Sequence, residues 1–389
     1  MKIAMLSDSV LTPTGYANVT LELLTRLQEK GHECFNLAHN YQGASINKTI
    51  ANGKEITFTI IGAGNQPYFK DRMKECIDKY KFDVIIILLD TFMIKENPYN
   101  LSFYEQFDFT PCKTVFYYPS DGRNFPFGCD KILRKVDLPV AMSKYGQAQV
   151  KELFNIDTKY IPHGVNFKNF FKLEDKESVK RGFGFQNKFI VGVVARNQGR
   201  KMLDRTILAF AKFAEDKNNA LLFLHLDPND AASVFDMTQL IKEYKIENKV
   251  RFSGMKVYEG FTLERMNQVY NCMDCFLLTT SGEGFGIPTI EAMACGVPVV
   301  LTDYTTSAEL TNDGKCGMLV PLSTEILGTW SVFRALIDID KTVESLNKLY
   351  IDEKFRNHLG EMGRLKVKNE YDWIELANEW DVLLKELIS

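Results

Sequence analysis

Apolar and polar positions along the 389-residue chain follow two periods in turn. Short, nearly continuous apolar runs, of the kind that make buried parallel strands, occur at 2–6, 55–61, 84–89, 113–118, 138–142 and 159–162. A second series follows at 188–195, 221–226, 250–254, 275–280 and 297–301. Between several of these runs the apolar residues recur every three or four positions. In 16–30, Val19, Leu23, Leu24 and Leu27 share a face and Gly31 ends it; 67–80, 143–154 and a segment reaching Phe213 are similar. The tail predicts helices over 342–350 and 353–369, then a last one from Asp372 with Trp373, Leu376, Ala377 and Trp380 on one face. Such alternation predicts an α/β chain with doubly wound parallel sheets, whose ligands bind beyond the carboxyl ends of the strands. A chain this long exceeds one ordinary core, so two domains are expected, with the charged stretch 167–185 as the linker.

The densest chemistry lies between the runs at 275–280 and 297–301. Gly282, Gly284 and Gly286 break regularity, Pro288 suits a first helical position, and Gly296 ends the helix. Strand, glycine loop and helix N-terminus in that order form an anion site: without Cβ atoms a ligand approaches the backbone, and the N–H groups of Gly284, Phe285, Gly286 and Ile287 are placed to donate. Two carboxylates flank these donors, Glu283 in the loop and Glu291 in what reads as the first helical turn. That pattern suits a ligand that is part phosphate and part polyol. A second cluster, Arg196-Asn-Gln-Gly-Arg-Lys201, follows the run at 188–195. Cations beside a helix N-terminus are unfavourable unless an anion joins them. Arg supplies a rigid fork for phosphate and Lys a mobile point charge.

Glu283 and Glu291 together resemble the Glu-x7-Glu element of retaining glycosyltransferases of family four, the group 1 type, which have the GT-B fold of two Rossmann-like domains facing a cleft. The resemblance implies an acceptor-side domain at 1–165, with the helix 372–389 packing back on it, and a nucleotide-sugar domain at 166–371. It implies that Arg196 and Lys201 grip the donor diphosphate, with Arg200 a competitor for the lysine's role. Glu283 and the amides of Gly284 to Ile287 would hold the sugar, Glu291 the ribose, and the backbone from Gly254 to Val257 would border the base. Gly15 matches the small-residue loop that reaches the donor's phosphate or sugar; no Gly-x-Gly-x-x-Gly stands at that turn. Asp121 is either a ligand of the acceptor or donor sugar or a loop cap, and Asp90 ends a neighbouring run. Ser120 stands where many members have histidine, and Asn166 where aspartate is commoner, just after His163, a candidate for the cleft. The implied reaction is transfer of a sugar with retention from a nucleotide-diphosphate donor, UDP- or GDP-linked, to a hydroxyl of a glycan or glycoprotein, with no cofactor. Alternatives are another GT-B enzyme, such as a sugar-nucleotide epimerase or a phosphorylase, or a non-catalytic nucleotide-sugar binder.

Composition narrows the partners. The formal charge of −3 recruits neither nucleic acid nor an anionic membrane. Residues 1–165 carry 15 Lys and 4 Arg against 10 Asp and 8 Glu, nearly balanced, which favours a neutral, soluble acceptor. Eight scattered cysteines, no signal peptide and no run of about eighteen apolar residues predict a cytoplasmic protein. No metal is expected. Cys272-Met-Asp-Cys275 lacks a second pair and reads as core, and Asp338-Ile-Asp340 reads as a loop.

Overall fold

The computed structural model describes every residue except 96, 98 and 99. Two compact units form, Met1–Gly164 with Thr329–Val332 and Trp373–Ser389, and Val165–Gly328 with Phe333–Asp372.

The first unit is built on a seven-stranded parallel sheet in the order Thr59–Gly62, Glu33–Ala38, Lys2–Ser7, Val84–Ile87, Lys113–Tyr118, Leu138–Ala141, Lys159–Tyr160. Strand order therefore reverses between Lys2–Ser7 and Val84–Ile87. The loops leaving two such strands run in opposite directions and open a crevice. Two carboxylates stand there. Asp8 meets His39 Nε2 at 2.7 Å and accepts from the hydroxyl of Thr14, and Asp90 accepts from the Tyr16 hydroxyl at 2.7 Å. Thr14 caps the helix Gly15–Glu29, so Gly15 is its first residue rather than the end of the preceding loop. Asp121 follows the next strand over, two residues past Pro119, and is partly exposed. Helix Trp373–Ile388 buries Trp373, Leu376, Ala377 and Trp380 in this unit. Trp380 stands edge-on to Tyr117 at 5.0 Å, and Asp381 pairs with His32 at 2.7 Å. His163 belongs to the same core. It is 1% exposed, its Nδ1 shares a 2.8 Å hydrogen bond with Tyr117, and burial drives its pKa down to about 3. A neutral, enclosed imidazole of this kind is a packing residue.

The second unit repeats the scheme with six parallel strands in the order Val250–Phe252, Ala220–His225, Phe189–Val194, Cys275–Leu278, Val299–Thr302, Met318–Val320. Here the order reverses between Phe189–Val194 and Cys275–Leu278. Close approach at this junction needs a glycine: a Cβ on Gly192 would fall 2.1 Å from the Met273 sulfur. Buried Asp274 ties the two strands, accepting from the Ile190 N–H at 2.8 Å and pairing with Lys180 at 2.9 Å and Lys176 at 3.0 Å. Asp274→Ala would remove the buried carboxylate that Lys180, itself 5% exposed, shares with Lys176, leaving Lys180 to its longer pair with Glu177 at 3.4 Å and the Lys188 carbonyl at 2.9 Å. We expect a loss of about 3–5 kcal/mol in urea unfolding; a cost under about 1 kcal/mol would refute this role.

Several elements differ from expectation. The run at 55–61 is two short strands, Lys54–Ile56 and Thr59–Gly62, and 67–80 opens with the 3₁₀ turn Pro67–Phe69 before helix Met73–Tyr80. A hairpin, Leu322–Leu327 with Phe333–Ile337, occupies what reads as a connection. Asp338 is the N-cap of helix Ile339–Ile351, accepting from the Lys341 N–H, while exposed Asp340 pairs with Lys212 at 2.9 Å. The eight cysteines are buried free thiols, with Cys272 at a helix end and Cys275 opening a strand.

Candidate functional site

The switch point of the second unit gathers both clusters singled out in the sequence. Strand Cys275–Leu278 ends, and Thr279, Thr280 and Ser281 continue as a buried polar run. This run is pinned to the basic loop. The Ser281 N–H and hydroxyl donate to the Arg200 carbonyl at 2.7 and 3.0 Å, the Thr280 hydroxyl donates to it at 3.1 Å, and the Thr279 hydroxyl donates to the Met202 carbonyl at 3.0 Å. Hydroxyl side chains thus do what a regular strand pairing would do, and leave both loops free to curve outward.

Glu283 sits at the centre. It is 6% exposed, and its two oxygens accept from Lys201 Nζ at 2.6 Å and from an Arg200 guanidinium nitrogen at 2.9 Å. Its own N–H donates to the Thr305 hydroxyl at 3.1 Å. Burial pushes its carboxyl up, but Arg200 and Lys201 outweigh that and hold it near 2, so it is ionised throughout the neutral range. Both cations the sequence weighed for one role therefore converge on Glu283. Lys201 is 7% exposed, in a 3₁₀ turn that Met202, in the left-handed region, closes before helix Leu203–Ala214.

Arg196 goes elsewhere. Its Nε and a terminal nitrogen fork onto Asp230 at 2.5 and 3.0 Å, in the loop after strand Ala220–His225, and the guanidinium is partly exposed. Sequence reasoning missed Asp230; the signal available was a carboxylate just beyond the strand adjoining the central one.

Past Glu283, Gly284 is partly exposed and Phe285 is buried edge-on to Tyr371 at 5.7 Å, its carbonyl accepting from Thr306. Gly286 takes φ +108°, a conformation L side chains resist, and caps helix Ile287–Ala294. The first amides of a helix have no partner within it, so Ile287 opens a donor-rich end toward the loop. Because the helix begins at Ile287, Pro288 is its second residue and Glu291 falls in the second turn, not the first. Glu291 is partly exposed and accepts from the Tyr270 hydroxyl at 2.6 Å. Burial raises its pKa to about 7 against the pull of that hydrogen bond. On the far side of the central strand, Gly254 follows strand Val250–Phe252 with φ +78° and open space around it, and the Val257 N–H donates to Asp227 at 3.0 Å.

Of the residues named from sequence, the structure joins Glu283 with Lys201 and Arg200 directly. It places Arg196, Gly284, Phe285, Gly286, Ile287, Glu291, Gly254 and Val257 on loops and helix ends of the same sheet, while Gly15 and Asp121 belong to the first unit. Among the described residues, no group of three or more His, Cys, Asp or Glu is arranged to hold a metal, and no helix is long and apolar enough to cross a membrane.

Comparison with known proteins bears on the fold and the family. Residues 175–366 match the family model described as glycosyl transferases group 1. The chain is 25% identical over 261 residues to mannosylfructose-phosphate synthase of Agrobacterium fabrum, covering 64% of this chain and 52% of that protein. It is 25% identical over 228 residues to the capsular polysaccharide biosynthesis glycosyltransferase CapM of Staphylococcus aureus, covering 58% and 54%. The match thus spans about half the length of these relatives. Among solved structures, sucrose-phosphate synthase from Thermosynechococcus elongatus superposes with a TM-score of 0.78 at 19% identity, covering 100% of this chain and 99% of that one. Anabaena HepE, solved with UDP and glucose, gives 0.72 at 16%, covering 99% and 100%. The fold is GT-B, and residues 175–366 are of the group 1 glycosyl transferase type.

Proposed function

We propose that the chain transfers a sugar, with retention, from a nucleotide-diphosphate donor to a hydroxyl of a glycan or glycoprotein. The observation that carries this reading is buried, ionised Glu283, held by Lys201 and Arg200 on a glycine loop at a strand-order reversal. A carboxylate and two cations fixed around the same few ångströms form a preorganised site for a ligand with both hydroxyls and phosphates. Lys201 and Arg196 meet the charge that builds on the leaving diphosphate, Arg196 by turning its fork from Asp230. Glu283 and the amides of Gly284 to Ile287 hold the sugar, and Glu291 accepts from the ribose. Gly254 and Val257 border the base. In the first unit, Gly15 serves the donor, and Asp121 serves the donor or acceptor sugar.

Bond breaking passes through an oxocarbenium-like state. Front-face departure assisted by the donor's own phosphate suits a loop whose carboxylate, Glu283, is already paired with Lys201 and Arg200. The cations do the work that a divalent ion does in other transferases, so neither metal nor cofactor takes part. A structural neighbour solved with UDP-glucose and a relative described as GDP-mannose-dependent support a donor that is UDP- or GDP-linked. The even charge of the first 165 residues supports a neutral acceptor, and the free thiols a cytoplasmic setting.

The test is incubation with a panel of nucleotide sugars, with and without glycan acceptors, in excess EDTA, reading released nucleotide diphosphate and the anomeric configuration of the product. We expect acceptor-dependent release that EDTA leaves intact. Release abolished by EDTA and restored by Mg²⁺ or Mn²⁺ would overturn the metal-free mechanism; no release from any donor would overturn the reading as a transferase.

A further inference from the structure

Glu291 does not stand alone. Tyr270, on helix Leu263–Asn271, is 0% exposed, with its ring edge-on to Phe170 at 5.8 Å and tilted against Phe276 at 6.4 Å. The ring is locked on several sides, so its hydroxyl has one position, 2.6 Å from Glu291 Oε2. We propose that Tyr270 is a positioning residue for donor binding: its phenol occupies one oxygen of Glu291 and turns the other toward the ribose hydroxyls. This deepens the reading of Glu291 as the ribose ligand and rests on it.

The chemistry follows from the surroundings. Burial holds the Tyr270 phenol well above its ordinary range, so it donates at any working pH. The groups near the carboxyl are otherwise neutral. Cys295, at the end of the same helix, is a thiol driven upward by burial, and Asn267 lies against its sulfur at 3.1 Å. Helix Glu353–Glu370 meets this helix through Gly360 and Gly363, strand Val299–Thr302 brings no titratable side chain, and Lys172 lies against Gly296 beyond the helix end. Tyr270 is therefore the group that favours the ionised form of Glu291, whose pKa stands at about 7. Ribose hydroxyls donate into an ionised carboxylate, so nucleotide binding expels a proton below that pH. Affinity rises as pH climbs through about 7 and levels above it.

The test is titration calorimetry of uridine and guanosine diphosphate between about pH 5.5 and 8.5. Tyr270→Phe is expected to bind about five- to tenfold more weakly at pH 7, with the midpoint of the pH profile about one unit higher. A 3-fluorotyrosine at position 270, a stronger donor of nearly the same shape, is expected to move the midpoint down, which keeps the proposal open to refutation should the phenylalanine variant fold poorly. With 2′,3′-dideoxyuridine diphosphate, whose terminal phosphate titrates in the same range, all forms should bind alike and share one pH profile, so that a difference between the forms reports the ribose hydroxyls. Unchanged midpoints in both variants, or a pH-independent wild type, overturn the proposal while leaving the transferase reading intact. A wild type that binds neither diphosphate overturns both.

Discussion

Lys201→Ala is expected to lower turnover about 10²–10³-fold, the size typical of removing one preorganised charge-stabilising donor. The ammonium lies 2.6 Å from a buried carboxylate on the glycine loop, so it is oriented before any ligand arrives and costs no reorganisation when charge develops on the leaving group. Folding should survive, because Arg200 still pairs with Glu283 at 2.9 Å and the backbone pins from Thr279, Thr280 and Ser281 to the basic loop are untouched. Lys201→Arg should recover little, since a planar fork does not fit where a point charge is held beside Arg200. Steady-state kinetics on the productive donor decides it, alongside Arg196→Ala. Arg196 is forked onto Asp230, whose side chain is 1% exposed, so its loss should lower turnover and also lower the melting temperature by leaving that carboxylate without its partner. Near-wild-type turnover in both variants would remove the diphosphate clamp.

Much of this architecture was legible because parallel strands buried on both faces are apolar throughout. The runs at 84–89, 113–118 and 188–195 stand out for that reason and became Val84–Ile87, Lys113–Tyr118 and Phe189–Val194. Glu33–Ala38 escaped because Asn36 interrupts it. That side chain is fully buried, yet it accepts from the Val10 N–H at 3.1 Å and donates to the Asp8 carbonyl at 3.3 Å, holding the loop at the switch point. The hairpin Leu322–Leu327 with Phe333–Ile337 escaped because its first strand is largely exposed and shows no buried face. At the site, local chemistry marked Glu283, Lys201 and the glycines. The partners that set their behaviour come from far along the chain: Tyr270 is 21 positions from Glu291, Asp230 is 34 from Arg196, and Thr305 is 22 from Glu283. Only the fold brings such pairs together, and no spacing in the sequence marks them.

Glu283→Ala is expected to act on stability and catalysis at once. It removes the buried carboxylate that Lys201, 7% exposed, shares with Arg200, a defect of about 3–5 kcal/mol. Because the folded-state pKa of Glu283 is near 2, below the ordinary carboxylate value, this contribution is full above the unfolded pKa and fades as pH falls through about 2. The stability gap between wild type and variant should therefore be widest near neutrality and close in acid. Turnover should fall more than donor affinity, since a group that holds the reacting sugar matters most in the transition state. The same variant distinguishes an architectural carboxylate from one that shares its cations with a ligand. If Lys201 and Arg200 face the donor phosphates, an added nucleotide diphosphate supplies the missing negative charge, and it should raise the melting temperature of Glu283→Ala by more than it raises that of the wild type. An equal rise in both proteins would mean that the two cations serve Glu283 alone, and the diphosphate would have to be placed on Arg196 and the helix end at Ile287 instead.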